Sequence, residues 1–102
     1  MRGWRARDGG SDPALRDGDA EVKRMFVAAD HRGRGHARAV LAELERSAAA
    51  AGRQRAVLET GTRQPEAIAL YTSAGYVPMT AFGVYRDSPN CRCFAKALPP
   101  SG

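Results

Sequence analysis

The sequence predicts one small α/β (α+β) domain, and three observations carry that expectation. An apolar segment at residues 20–27 runs into a basic, glycine-rich turn, Arg32-Gly33-Arg34-Gly35, which opens directly into a helical pattern. A second strand-like segment, residues 55–60, follows that helix after a short link, and strand, helix and strand joined this way imply a parallel pair with a right-handed crossover. The 102 residues of the chain allow one modest core and no more.

Taken in order, residues 1–7 hold Trp4 in a short extended segment, the first arm of a hairpin whose second arm begins at Ala20. Between the arms, Asp8-Gly9-Gly10-Ser11-Asp12-Pro13 and Arg16-Asp17-Gly18-Asp19 are turn formers and read as loop. Residues 20–27 alternate imperfectly, with Val22, Met25 and Val27 inward, and the break at Lys23-Arg24 is the mark of a bulge. From Gly35 to Ala51 the apolar residues Ala37, Val40, Leu41, Leu44, Ala48 and Ala51 keep the three-and-four spacing of one helical face. Arg38, Glu45 and Arg46 are expected to face water, and Gly52 to stop the helix. Pro65 suits the first turn of a second helix, whose apolar side is Ala67, Ile68, Leu70 and Tyr71 and whose end is Gly75. Residues 76–79 read as a short strand, 80–90 as irregular, and 91–98 as a final strand before a frayed end.

Composition narrows the function classes. A 43% hydrophobic, 26% charged chain is an ordinary globular one. No apolar run reaches the roughly 20 residues that cross a bilayer, and Met1-Arg2-Gly3-Trp4-Arg5 is no signal-peptide core, so a cytoplasmic location is expected. The net charge of +5 is spread along the chain and does not alternate with aromatics, so it implies attraction to an acidic ligand rather than a polynucleotide groove. Cys91 and Cys93, two apart, share one face of a strand and are poorly placed for a mutual disulfide. With only His31 and His36 elsewhere they fit no usual zinc spacing, so free thiols and no metal are expected.

The glycine-rich turn carries the chemistry. A helix start presents unpaired N–H groups and the positive end of the macrodipole, which together favour an anion. Glycines permit close approach, and Arg32 and Arg34 add charge-assisted donors, so the turn is read as a pyrophosphate site. It is not a P-loop, because Gly35-His36-Ala37 supplies neither the lysine nor the hydroxyl, and Arg38 stands where a dinucleotide fold needs its third glycine. Arg32, Gly35 and Ala37 do meet the pattern Gln/Arg-x-x-Gly-x-Gly/Ala, and Leu70-Tyr71-x-x-x-Gly75-Tyr76 follows one strand later. With both motifs in this order, the chain resembles the GNAT superfamily of acyl-CoA N-acyltransferases from about residue 3 to residue 98.

That resemblance implies a mixed, mostly antiparallel sheet with a splayed parallel strand pair and a central helix. It also implies a single domain over 1–102, truncated to its coenzyme A-binding half and lacking the strand-helix-helix-strand portion that begins the family's fold. The activity implied is transfer of an acetyl group from acetyl-CoA to a primary amine by direct attack in a ternary complex, with no metal. Carried over residue by residue, Arg32, Gly33, Arg34, Gly35, His36 and Ala37 would hold the coenzyme's pyrophosphate. The backbone at Met25, Phe26 and Val27 would pair with its pantetheine arm, and Gln64 stands where the family places a coenzyme-contacting asparagine. Tyr71 would be the general acid for the departing thiolate, with Glu21 or Glu59 as the base that takes the amine's proton. Read without the motif, Tyr71 is a core residue and Glu21 an exposed strand residue. An open sheet edge and an uncovered apolar face imply a homodimer or strand-exchanged assembly. Two other classes compete: an acyl-CoA-binding or interaction module without catalysis, and a small DNA-binding protein clasping a minor groove with Arg32-Gly33-Arg34. The second leaves Leu70-Tyr71-x-x-x-Gly75 unexplained. The acceptor amine does not follow from the fold.

Overall fold

The computed structural model of the chain describes residues 3–7, 12–23, 34–61, 65–82, 89 and 91–99. Its elements are β1 (Trp4–Arg7), β2 (Asp19–Val22), α1 (Arg34–Ala50), β3 (Arg55–Gly61), α2 (Pro65–Ser73), β4 (Val77–Pro78) and β5 (Cys91–Ala97). They form one five-stranded sheet in the order β1-β2-β3-β5-β4. The front hairpin is present, with Trp4 opposite Val22 and Arg7 opposite Asp19. β2 and β3 are the parallel pair, in register from Asp19 against Arg55 to Glu21 against Val57. β3 continues to Gly61 against β5 alone, antiparallel, with Glu59 opposite Cys93. The α/β class and the mixed, mostly antiparallel sheet with one parallel pair are therefore as the sequence implied. The expected bulge at Lys23-Arg24 reaches outside the described residues.

Strand alternation sorts the sheet into two faces. Ala20, Val22, Ala56, Leu58 and Phe94 point toward both helices and join Trp4, Leu41, Leu44, Ala48, Leu70 and Tyr71 in the main core. Val57, Cys93 and Ala95 point the other way, under Leu15 and Phe82. An uncovered apolar face was expected, and this one is not open. The segments around Leu15 and Phe82 cover it, and among the described residues Val77 is the large apolar side chain left exposed.

Helix α1 buries Ala37, Leu41, Leu44 and Ala48 at the expected spacing, with Val40 half-buried. Its end differs: Ala49 is buried, whereas Ala51 lies exposed in the turn after the helix. Both helices terminate in the same cap. Gly52 and Gly75 have φ of +83° and +99°, which only glycine adopts without strain. Tyr76 N–H reaches back to Tyr71 O (3.0 Å) and Gly75 N–H to Thr72 O (3.1 Å), as Arg53 N–H does to Ala48 O (3.0 Å) and Gly52 N–H to Ala49 O (3.0 Å). These paired bonds are the Schellman arrangement, which satisfies carbonyls that the last turn leaves unpaired.

Two polar clusters fix the elements relative to each other. Asp19 is 1% exposed and accepts from Arg55 at 2.9 and 2.8 Å and from the Arg16 N–H at 2.9 Å. Arg55 also donates to the Ala14 carbonyl, so one guanidinium ties the 12–18 turn to the sheet. Glu45, expected in water, instead accepts from the Tyr76 hydroxyl (3.0 Å) and Lys96 Nζ (2.8 Å), joining α1 to the end of α2 and to β5.

Candidate functional site

The site begins at the first turn of α1. The helix starts at Arg34, one residue earlier than the apolar pattern required, so the N–H groups of its first three residues, Arg34, Gly35 and His36, have no intrahelical acceptors. No acidic residue stands in that turn. An incoming anion therefore meets the donors and the positive end of a first turn that itself carries no carboxylate. Ala37 is buried beneath, its methyl part of the main core, which anchors the turn to the sheet. Arg32, Gly33, Gln64 and the strand positions Met25, Phe26 and Val27 lie outside the described residues.

The proposed acid and bases fall on opposite faces of the sheet. Tyr71 sits on the helix face, 2% exposed, its ring edge-on to Tyr76 (centroids 5.9 Å, 63°) and tilted against Phe94 (6.3 Å). The Tyr71–Tyr76 contact is also the apolar clasp that accompanies a Schellman cap, so Tyr-x-x-x-Gly-Tyr is a folding device whatever its chemistry. Glu21 is in register with Val57 and thus faces away from the helices, as does Glu59 two residues further along β3. Glu21 Oε1 lies 3.4 Å from Arg5 and 3.3 Å from Arg7, the cross-strand neighbours that β1 presents. Glu59 instead accepts from the Cys91 thiol at 3.4 Å. The sheet itself lies between Tyr71 and both carboxylates.

The shifted groups in this region are thiols and a phenol. Burial, the neighbouring Cys93 and the hydrogen bond to Glu59 push the Cys91 thiol up to about 12. Burial raises Cys93 as well, although a backbone hydrogen bond from Phe82 opposes it. Tyr76 is raised by burial and by the Glu45 carboxylate that its hydroxyl contacts. A groove of about 450 Å³, lined by Pro13, Arg16, Arg55, Val77 and Met79 among others, lies apart from every residue named for catalysis. Its Arg55 is already committed to Asp19.

The order strand, helix, parallel strand, capped helix is matched by the acetyltransferase (GNAT) domain, over residues 4–78. The chain belongs to the GNAT acetyltransferase family. Its GNAT sequence is 43% identical over 72 residues to an IAA acetyltransferase from Azospirillum brasilense, covering 71% of this chain and 47% of that protein. It is 37% identical over 65 residues to human N-acetyltransferase 8, covering 64% of this chain and 29% of that one. Among solved structures, a Klebsiella pneumoniae protein presented as an acyl-CoA N-acyltransferase superposes with a TM-score of 0.66 at 33% identity, over 80% of this chain and 57% of that one. The chain thus spans about half the length of the first relative and under a third of the second.

One grouping in this GNAT domain escapes the sequence. Glu59, Cys91 and Cys93 present their ligand atoms within 4.8 Å of one another. The two cysteines are adjacent by alternation, but Glu59 joins them only through the β3–β5 register, which no local pattern encodes.

Proposed function

We propose that this chain binds acetyl-CoA and takes part in transferring its acetyl group to a primary amine by direct attack in a ternary complex. The observation that carries the reading is the α1 start: a first turn with orphan amides and no acidic residue of its own, opening the helix of a β2–α1–β3 unit within a GNAT domain. In this reading Arg34, Gly35 and His36 bind the diphosphate through their main chain, with Arg32, Gly33, Ala37 and Gln64 beside them. Met25, Phe26 and Val27 pair with the pantetheine arm and direct the thioester into the seam between β2 and β3. The amine attacks from the carboxylate face, where Glu21 or Glu59 takes its proton, directly or through water. The thiolate departs toward the helix face, where the Tyr71 hydroxyl donates a proton to it. Holding the coenzyme at a remote anion site fixes the reacting carbon near the amine, which lowers the entropic part of the barrier.

A second reading, acyl-CoA binding without turnover, is favoured by the prior commitments of the carboxylates: Glu21 to two arginines and Glu59 to a thiol. Two measurements separate the readings. Acetyl-CoA raises the melting temperature under both, because a ligand that binds only the folded state stabilises it. Release of free thiol from acetyl-CoA with a panel of amines occurs only under the first. We also propose a homodimer or strand-exchanged assembly, supported by the two sheet edges β1 and β4 and by exposed Val77 on β4.

A further inference from the structure

We propose that Glu59, Cys91 and Cys93 form a site for one thiolate-preferring divalent cation of the zinc type, on the sheet face opposite the helices. A tetrahedral zinc site with Zn–S of about 2.3 Å and Zn–O of about 2.1 Å places its ligand atoms roughly 3.5–3.8 Å apart. Cys91 Sγ and Glu59 Oε2 already stand 3.4 Å apart, and all three ligand atoms lie within 4.8 Å of one another. Drawing them onto a metal takes side-chain rotation and no movement of the sheet.

The backbone holds this arrangement firmly. Cys91 and Cys93 share a face by alternation, and Glu59 is directly opposite Cys93 in a β3–β5 ladder that is continuous from Arg55–Ala97 to Gly61–Cys91. The chemistry of the set fits a borderline-soft ion. Two thiolates and a carboxylate suit zinc, whereas magnesium and calcium take oxygen ligands. Among the described residues the Glu59 carboxylate is met by the Cys91 thiol and by no guanidinium or ammonium, unlike Asp19, Glu21 and Glu45, each of which has a cationic partner. Three groups that become anionic on binding a metal are thus gathered where no described side-chain cation balances them. Cys93 is buried and receives the Phe82 backbone N–H, an outer contact that orients a metal-binding sulfur. Cys91 and Glu59 are half-buried, which leaves an entry path and room for water as the fourth ligand. Binding displaces the two thiol protons to solvent, so the bound site carries a net charge of −1. An occupied site also removes Glu59 from the choice of catalytic base and leaves Glu21.

The test is a titration of the full chain, reduced and kept anaerobic, with cobalt(II) as a spectroscopic stand-in for zinc. One equivalent should produce a near-ultraviolet thiolate-to-cobalt charge-transfer band with tetrahedral visible bands, and one equivalent of zinc should abolish both. Cys91→Ser and Glu59→Gln should each weaken cobalt binding at least tenfold, and the Cys91→Ser/Cys93→Ser double variant should lose the charge-transfer band. Cys93 is a core position, so circular dichroism checks the fold of the double variant. If that variant is unfolded, Cys91→Ser and Glu59→Gln decide. Absence of the band in the reduced parent chain, or parental affinity in either single variant, overturns the proposal. None of these readouts depends on acetyl transfer.

Discussion

Tyr71 carries two burdens, a cap and an acid, and a pair of substitutions separates them. The ring is 2% exposed and touches Tyr76 and Phe94, so Tyr71→Ala removes a buried aromatic and should cost about 3–5 kcal/mol. Tyr71→Phe keeps the ring, both aromatic contacts and the backbone carbonyl that accepts from Tyr76. Its cost is that of one hydroxyl, about 1 kcal/mol, or roughly 4–8 °C in melting temperature for a domain of this size. Acetyl-CoA should still bind, because the amides assigned to it lie on α1. Turnover should fall, since a positioned general acid contributes about 10²–10⁴-fold. The assays are urea unfolding for stability, calorimetry for acetyl-CoA binding and thiol release for kcat. A Tyr71→Phe chain that turns over at the parental rate would falsify the acid role and leave the cap as the residue's whole purpose. A Tyr71→Phe chain as unstable as Tyr71→Ala would instead contradict the packing argument.

Three further outcomes are expected. Asp19→Ala strands the Arg55 guanidinium without its carboxylate and should cost about 3–5 kcal/mol in denaturant unfolding, while Asp19→Ala/Arg55→Leu should recover part of it. Equal stability of the single and double variants would contradict this. The folded chain holds the Tyr76 and Cys91 protons more tightly than the unfolded chain, whose groups titrate near 10 and 9. The Cys91 contribution to stability is therefore complete below about pH 9 and is lost as pH rises from there toward 12, whereas that of Tyr76 is complete below about pH 10 and falls above it. Tyr76→Phe should flatten the fall above pH 10, and an unchanged slope there in that variant would refute the assignment. Sedimentation at high micromolar concentration should show a dimer, whereas monomer alone would rule out the proposed assembly.

Much of the fold could be read because its cues are local. The three-and-four spacing from Ala37 to Ala48 produced α1, and Gly52 and Gly75 marked both helix ends, where a left-handed residue is needed. The short links around α1 predicted the β2–β3 pairing before any contact was known. What could not be read depends on distant partners. Glu45 has the spacing of a solvent-facing residue, yet Tyr76 and Lys96, 31 and 51 positions away, draw it inward. Asp19 stands among turn formers, and only Arg55 across the parallel ladder makes it a buried anchor. The place of β5 between β3 and β4 is a matter of non-local pairing, and so is the meeting of Glu59 with Cys91 and Cys93. For the candidate site, the helix start and Tyr71 follow from two short motifs. The ion pairs that hold Glu21 follow from cross-strand register with β1.

The claim on which the functional account rests is that the amides opening α1 grip the diphosphate of coenzyme A. A nitrogen-15 amide titration with coenzyme A, followed residue by residue, tests it most directly. The account predicts that Arg34, Gly35 and His36 shift furthest and saturate together, and that pantetheine, which has no diphosphate, leaves them in place. Saturable binding with those three amides unmoved, or no binding of coenzyme A at all, would contradict it.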